Sequence, residues 1–143
     1  MKILRQINTI KIFQCEDNEE MAEIVGNKLI AQIKSKSDSN IAIQSGYSIV
    51  PLSKYLKYDR KKHHTSYKNA KFFMLNEYGV IDFKHQETHK SFMDENFFGP
   101  LKIKEKNIFY PNKDKSTSDF SKYDRLIWAE GGIDLAIISV GTN

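Results

Sequence analysis

IDLAIISV (residues 133–140) is the most hydrophobic run in the chain, and it lacks the in–out alternation of a strand with one wet face. Unalternating runs of this kind suit strands covered on both faces, as in parallel sheets. KFFML (71–75) has the same character, and IAI (41–43) is a shorter version. IKIFQ (10–14) and NIFY (107–110) complete the set. Helical patterns separate these runs. Asp17 stands at a helix N-cap position with Glu20 three residues on, and Met21, Ile24, Val25, Leu29 and Ile33 recur at helical spacing, so the spacing predicts a helix over 18–34. A second helix follows Ser48 through Leu52, Tyr55 and Leu56, and a third spans Thr88 to Phe98, ended by Gly99-Pro100. A fourth covers 120–129 and stops at Gly131-Gly132. Helices between strands imply parallel crossovers. The expected fold is therefore α/β: an open, mostly parallel sheet with helices on both faces, Rossmann-like, in a single domain over 1–143.

Composition agrees with one domain. The chain has 143 residues, with 9 Phe and 7 Tyr to build a core. Cys15 is the single cysteine and cannot form an internal disulfide, which fits a reducing compartment. No apolar run approaches the ~20 residues of a membrane helix, and Arg5, Gln6, Asn8 and Lys11 interrupt the N-terminus too often for a signal peptide. A cytoplasmic protein without a membrane segment is expected. A formal net charge of +4 raises the question of nucleic acid. Yet the basic residues are spread along the chain, with one cluster at Arg60-Lys61-Lys62-His63-His64 in what reads as a polar connection. That pattern argues against nucleic acid as the main partner and leaves a basic RNA-associated protein as an alternative.

In open α/β sheets, ligands sit beyond the carboxyl ends of the strands. The exits to inspect are Ser45–Ser48, Asn76–Tyr78 and Gly141–Asn143. Ser45-Gly46-Tyr47-Ser48 pairs two hydroxyls with a glycine just before a helix, where converging backbone N–H groups and the helix dipole favour a phosphate. Small polar residues at such a turn also serve as plain caps. Glu77 is placed to act as a general base or to accept from sugar hydroxyls, or it is simply solvated. His85 and His89 are spaced i, i+4, but His85 precedes the helix and no zincin motif accompanies the pair, so no metal site is expected. Cys15 and Trp128 read as packing residues.

Together these exits resemble the glucosamine/galactosamine-6-phosphate isomerase family, on its glucosamine-6-phosphate deaminase branch. Asn76-Glu77-Tyr78 is similar to the family's Asp-Glu-Tyr turn, and His85 and Glu87 fall where its loop carries His and Glu. Ser91-Phe92-Met93 with Asn96-Phe97-Phe98 resembles its SFM..NFF helix, which favours the deaminases over the related 6-phosphogluconolactonases. Ser45-Gly46-Tyr47-Ser48 resembles the Thr-Gly-Gly-Thr phosphate loop, continued by Lys54 and Leu56. Gly131 to Asn143 looks like the strand leading into a catalytic Gly-His motif. The resemblance covers the N-terminal part of the family's domain.

What the resemblance implies is conversion of glucosamine 6-phosphate to fructose 6-phosphate and ammonia. In it, a histidine assists ring opening and the Asp of the Asp-Glu-Tyr turn moves a proton between C2 and C1. The catalytic positions carried over are Asn76, Glu77 and Asn143, with Ser45, Gly46, Tyr47 and Ser48 on the substrate phosphate and no cofactor. The sequence departs from the pattern where chemistry is concentrated. Position 76 is Asn, which cannot accept and return a proton as a base. Tyr47 replaces a glycine, Ser139 stands where a glycine is usual, and the sequence stops at Asn143, before the Gly-His segment. The expectation is a deaminase-like chain, lacking the C-terminal part of the family fold and inactive by itself, that keeps amino-sugar phosphate binding. A non-catalytic sugar-phosphate-binding module and a 6-phosphogluconolactonase-like protein are the alternatives. Strand 133–140, left as an apolar edge, is expected to pair with a second copy or with a C-terminal partner fragment.

Overall fold

Two parallel crossovers build the centre of the molecule. The computed structural model describes residues 2–78, 82, 85–111 and 121–140, residues 2–7 as backbone only. The third strand, β3 (Asn40–Ile43), pairs in parallel with β4 (Lys71–Met74) on one side and β6 (Leu135–Ile137) on the other. The short β5 (Ile108–Phe109) adds to β4, giving an all-parallel order β5-β4-β3-β6. The expected parallel α/β sheet is therefore present. Ile41, Ile43, Phe72 and Met74 face a core completed by α1 (Asn18–Ser35) and α2 (Ile49–His63). On the opposite face Phe73 stacks on Phe109, with ring centroids 4.7 Å apart. There α5 (Ser121–Ala129) is tied down by the Tyr123 hydroxyl, which donates to the carbonyls of Met74 and Phe109 at 2.9 and 3.1 Å.

The N-terminal cap of α1 forms as the sequence implies. Asp17 Oδ1 accepts from the Glu20 amide at 2.8 Å, and Glu20 Oε2 accepts from the Glu16 amide at 2.8 Å. The buried stripe, however, runs through Ala22, Gly26, Leu29, Ile30 and Ile33, while Met21 and Val25 are only half-buried. Gly26 explains the rotation: a Cβ there would lie 2.4 Å from Tyr55 Cδ1, so the missing side chain lets α2 approach.

Several expectations change. IKIFQ is not in the main sheet. It is β2 (Ile10–Gln14), antiparallel to a strand the sequence did not announce, β1 (Lys2–Ile7), in a separate two-stranded hairpin. Asn8, at φ 52°, supplies the left-handed residue of the two-residue turn. The register slips between Ile3 and Arg5, and this bulge breaks the alternation that would have marked the strand. The basic cluster is not a connection either. It forms the last turn of α2, where cations oppose the negative end of the helix dipole, and His64 ends the helix in the left-handed conformation.

Gly99-Pro100 does not end the third helix. α3 (His89–Met93) passes through a π-helical turn, Asp94–Phe98, into α4 (Gly99–Leu101). Pro100 cannot donate, and its ring would crowd an α-helical carbonyl four residues back, so the wider turn sits just before it. Asn96 Nδ2 then donates to the Phe92 carbonyl at 2.9 Å, while Phe97 and Phe98 both reach the core against Phe72.

The strand expected over 133–140 forms as β6 only from Leu135 to Ile137, the stretch that pairs with Ile41, Ala42 and Ile43 of β3; among the described residues no strand lies on its other side. Ile138 is 64% and Val140 96% exposed. Trp128, expected to pack, is 81% exposed on α5. The polar stretch 112–119 and the exit at 141–143, including Asn143, lie outside the described residues. Among the described residues, no helix is long and apolar enough to cross a membrane.

Candidate functional site

Parallel pairing in register places the ends of β3 and β4 side by side: Ile43 is the partner of Met74. The residues that follow each strand therefore meet. Ser45 and Asn76 are joined by two hydrogen bonds, from the Ser45 amide to Asn76 Oδ1 at 3.0 Å and from Asn76 Nδ2 to Ser45 Oγ at 3.2 Å. Because a backbone N–H can only donate, the first bond fixes which end of the amide is oxygen. Nδ2 then also faces His89 Nε2 at 3.2 Å, and His89 Nδ1 lies 2.5 Å from Ser45 Oγ. Nδ2 must donate, so Nε2 accepts and the ring proton sits on Nδ1, donating to Ser45 Oγ. That direction is opposite to the one in which a histidine activates a serine, so Ser45 is not set up as a nucleophile. Tyr78 stacks on the His89 ring at 4.5 Å and 14°.

Ser45, Gly46 and Tyr47 line a cleft of about 290 Å³ together with Tyr78, Glu87, Thr88, His89 and Phe92, while Asn76 lies behind it, bonded to Ser45 and His89. Tyr47 is 87% exposed and meets the Phe92 ring edge-on at 5.8 Å. It does not take a positive φ, so a tyrosine at this glycine-like position is accommodated without backbone strain. Ile49 N–H donates to the Gly46 carbonyl at 3.0 Å and Val50 N–H to that of Tyr47 at 3.1 Å, closing the first turn of α2. Among the described residues no bond engages the amides of Gly46, Tyr47 or Ser48, as expected where a helix begins.

Glu77 has a different part. Its Oε1 accepts from the Tyr78 and His89 amides at 2.8 and 3.0 Å, and its Oε2 from the Lys90 amide at 2.7 Å. The carboxylate thus clamps the start of α3 from outside. Thr88 adds the regular cap, accepting from the Ser91 amide at 3.1 Å. Both Glu77 oxygens are thus held by backbone donors at the start of α3, the turn that carries His89.

The sequence-selected residues therefore divide. Ser45, Gly46 and Tyr47 line the cleft, and Asn76 is bonded to two of its lining residues, Ser45 and His89. Ser48 lines a separate apolar groove of about 340 Å³ between α1, α2 and the chain after β6. The sequence presents His89 only as half of an i, i+4 histidine pair, because its contacts in the site are 13 and 44 residues away. The other local signal was its position one residue after the Thr88 cap. No group of three or more His, Cys, Asp or Glu side chains able to hold a metal occurs among the described residues.

No protein-family model matches the chain. Among curated proteins, the glucosamine-6-phosphate deaminase of Malacoplasma penetrans is 31% identical over 140 residues, covering 95% of this chain and 58% of that protein. The enzyme of the same name from Geobacillus sp. is 29% identical over 136 residues, covering 94% of this chain and 54% of its own length. The chain thus spans a little over half the length of these curated relatives. Among solved structures, a monomeric glucosamine-6-phosphate deaminase superposes with a TM-score of 0.83 at 21% identity, covering 92% of this chain and 56% of that one. A 6-phosphogluconolactonase from Thermotoga maritima gives a TM-score of 0.68 at 20% identity, covering 90% of this chain and 59% of that one. The two superpositions establish a shared fold, and the sequence matches are more specific: along nearly its whole length, the chain is similar to a little over half of proteins named glucosamine-6-phosphate deaminase.

Proposed function

We propose that the cleft between the β3 and β4 exits binds an amino-sugar phosphate, and that the chain is a glucosamine-6-phosphate deaminase-like protein of amino-sugar metabolism. The observation carrying this reading is a cleft lined by Ser45 and His89, both bonded to Asn76, in a chain similar to those deaminases. The phosphate would lie at the Gly46 and Tyr47 amides near the start of α2, where donors and dipole favour an anion. The sugar would extend toward Asn76 and His89. A volume near 300 Å³ is at the small end of ligand sites, which fits a single hexose phosphate. A cytoplasmic location fits the same reading.

Binding without turnover is the form this reading takes for the chain alone. In the reaction the resemblance implies, a carboxylate on the Asp-Glu-Tyr turn moves the proton between C2 and C1. Asn76 has none, and Glu77 is engaged by three backbone amides. Release of ammonia from glucosamine 6-phosphate tests this. The expected result is no release above background, and turnover abolished by Asn76→Ala would refute it. The lactonase alternative has only a fold likeness behind it.

A second reading concerns assembly. We propose that the chain self-associates through the β6 edge. Among the described residues no strand pairs with the outer side of β6, and Ile138 and Val140 beyond it are exposed. A concentration-dependent dimer in sedimentation is expected. A monomer throughout would contradict it, and a stable complex with a separately produced C-terminal deaminase fragment would assign the edge to that partner instead.

A further inference from the structure

The fold gathers cations that the sequence scatters. Between residues 54 and 68, Lys54, Lys57, Arg60, Lys61, Lys62 and Lys68 are accompanied by one acid, Asp59. Asp59 is buried and accepts from the Tyr67 hydroxyl at 3.2 Å, so it does not screen the surface. A second basic segment, Lys102, Lys104 and Lys106 with Glu105, is remote in sequence. Two hydrogen bonds stitch the segments together: Arg60 Nη1 donates to the Leu101 carbonyl and Asn107 Nδ2 to the Lys68 carbonyl, both at 2.9 Å.

Within α2 the arrangement is regular. Lys54, Lys57 and Lys61 are exposed at i, i+3 and i+7, a line of about 10 Å along the helix axis. Tyr58 and Lys62 run beside them. Tyr58 is 54% exposed, and Lys62 Nζ sits 5.3 Å from its ring centroid. None of these lysines takes part in a salt bridge among the described residues. The last turn of α2 and the 102–106 segment lie at the start of β4 and β5, the end of the sheet opposite the cleft.

We propose that this face is a docking surface for single-stranded RNA. Phosphates would lie along the lysine line of α2, and a base would stack on Tyr58. An unpaired strand exposes base faces to an aromatic ring, which a duplex does not. The line carries no exposed aliphatic side chain of the sort that inserts into a lipid surface. The inference is independent of the cleft's ligand.

Fluorescence anisotropy of the full chain with a labelled oligouridylate of about 12 nucleotides tests it. Saturable binding is expected, weakening roughly 50-fold between about 50 and 200 mM salt if some four phosphates are neutralised. The triple variant Lys54→Glu, Lys57→Glu, Lys61→Glu should bind at least tenfold more weakly with an unchanged circular-dichroism spectrum. Tyr58→Ala, a milder change, should weaken binding several-fold and cover the case in which the triple variant misfolds. No binding by the unaltered chain, equal binding by Tyr58→Ala and a folded triple variant, tighter binding of duplex RNA, or tighter binding to phosphatidylserine vesicles would each overturn the proposal.

Discussion

Ser45 and Asn76 hold each other in both directions, amide to Oδ1 at 3.0 Å and Nδ2 to Oγ at 3.2 Å, so the exits of two neighbouring parallel strands are locked together. The same Nδ2 faces His89 Nε2. An aspartate at 76 would keep the bond from the Ser45 amide but replace a donor to the imidazole with a carboxylate. Asn76→Asp should therefore leave the fold intact and turn the nitrogen that faces position 76 from an acceptor into a donor, because a carboxylate can only accept. Imidazole nitrogen resonances in NMR, which report which ring nitrogen carries the proton, check this, and an unchanged His89 pattern would show that the pair does not communicate.

Glu77 organises the start of α3 through three backbone amides. Glu77→Ala would leave those donors without their carboxylate and is expected to cost about 1–3 kcal/mol. Urea unfolding measures it. Glu77→Gln keeps one acceptor and should fall between the two, whereas equal stability of all three chains would remove the clamp from the account.

Gly26 sets the distance between α1 and α2. A Cβ at this position would lie 2.4 and 2.9 Å from the Tyr55 ring carbons, so Gly26→Ala must push the helices apart or expel Tyr55 from its bond to Asn27. Despite alanine's better helix propensity, a net loss of about 1–3 kcal/mol is expected. Thermal melting checks the sign, and a rise in melting temperature would contradict the packing described here.

Asp134 joins the turn before β6 to β3. Its carboxylate accepts from Lys36 Nζ at 2.7 Å and from the Asn40 amide at 2.8 Å, and the Lys36 ammonium, then the Asn40 amide, hold its carboxyl below the usual carboxylate range. A folded-state value lowered in this way contributes stability that is complete above the unfolded carboxyl's pKa of about 4 and is lost as pH falls through the lower folded value. Asp134→Asn should thus be less stable than the unaltered chain at neutral pH, with the difference shrinking below pH 4 (about the unfolded carboxyl value). Denaturant midpoints at both pH values test this.

Local chemistry was legible where local chemistry decides. The Asp17–Glu20 cap, the parallel strands at Ile41, Phe72 and Ile108 and the stop at Gly131-Gly132 could all be read from neighbouring residues. The rest depends on tertiary context. β1 was hidden by a bulge, α2 ran on to His63 because no breaker precedes it, and the π-helical turn answers a proline that by itself reads as a stop. Pairing with β3, which no hydropathy pattern encodes, sets the extent of the strand within 133–140. In the site, Ser45 and Asn76 were visible as strand exits, whereas His89 became part of it only through stacking on Tyr78 and bonding across the sheet.

Calorimetric titration of the chain with glucosamine 6-phosphate tests the central claim most directly. The account expects saturable one-site heat that is lost when Ser45→Ala and His89→Ala are combined, and that glucosamine without its phosphate does not reproduce. No heat with the phosphorylated sugar, or heat unchanged in the double variant, would contradict the assignment of the cleft.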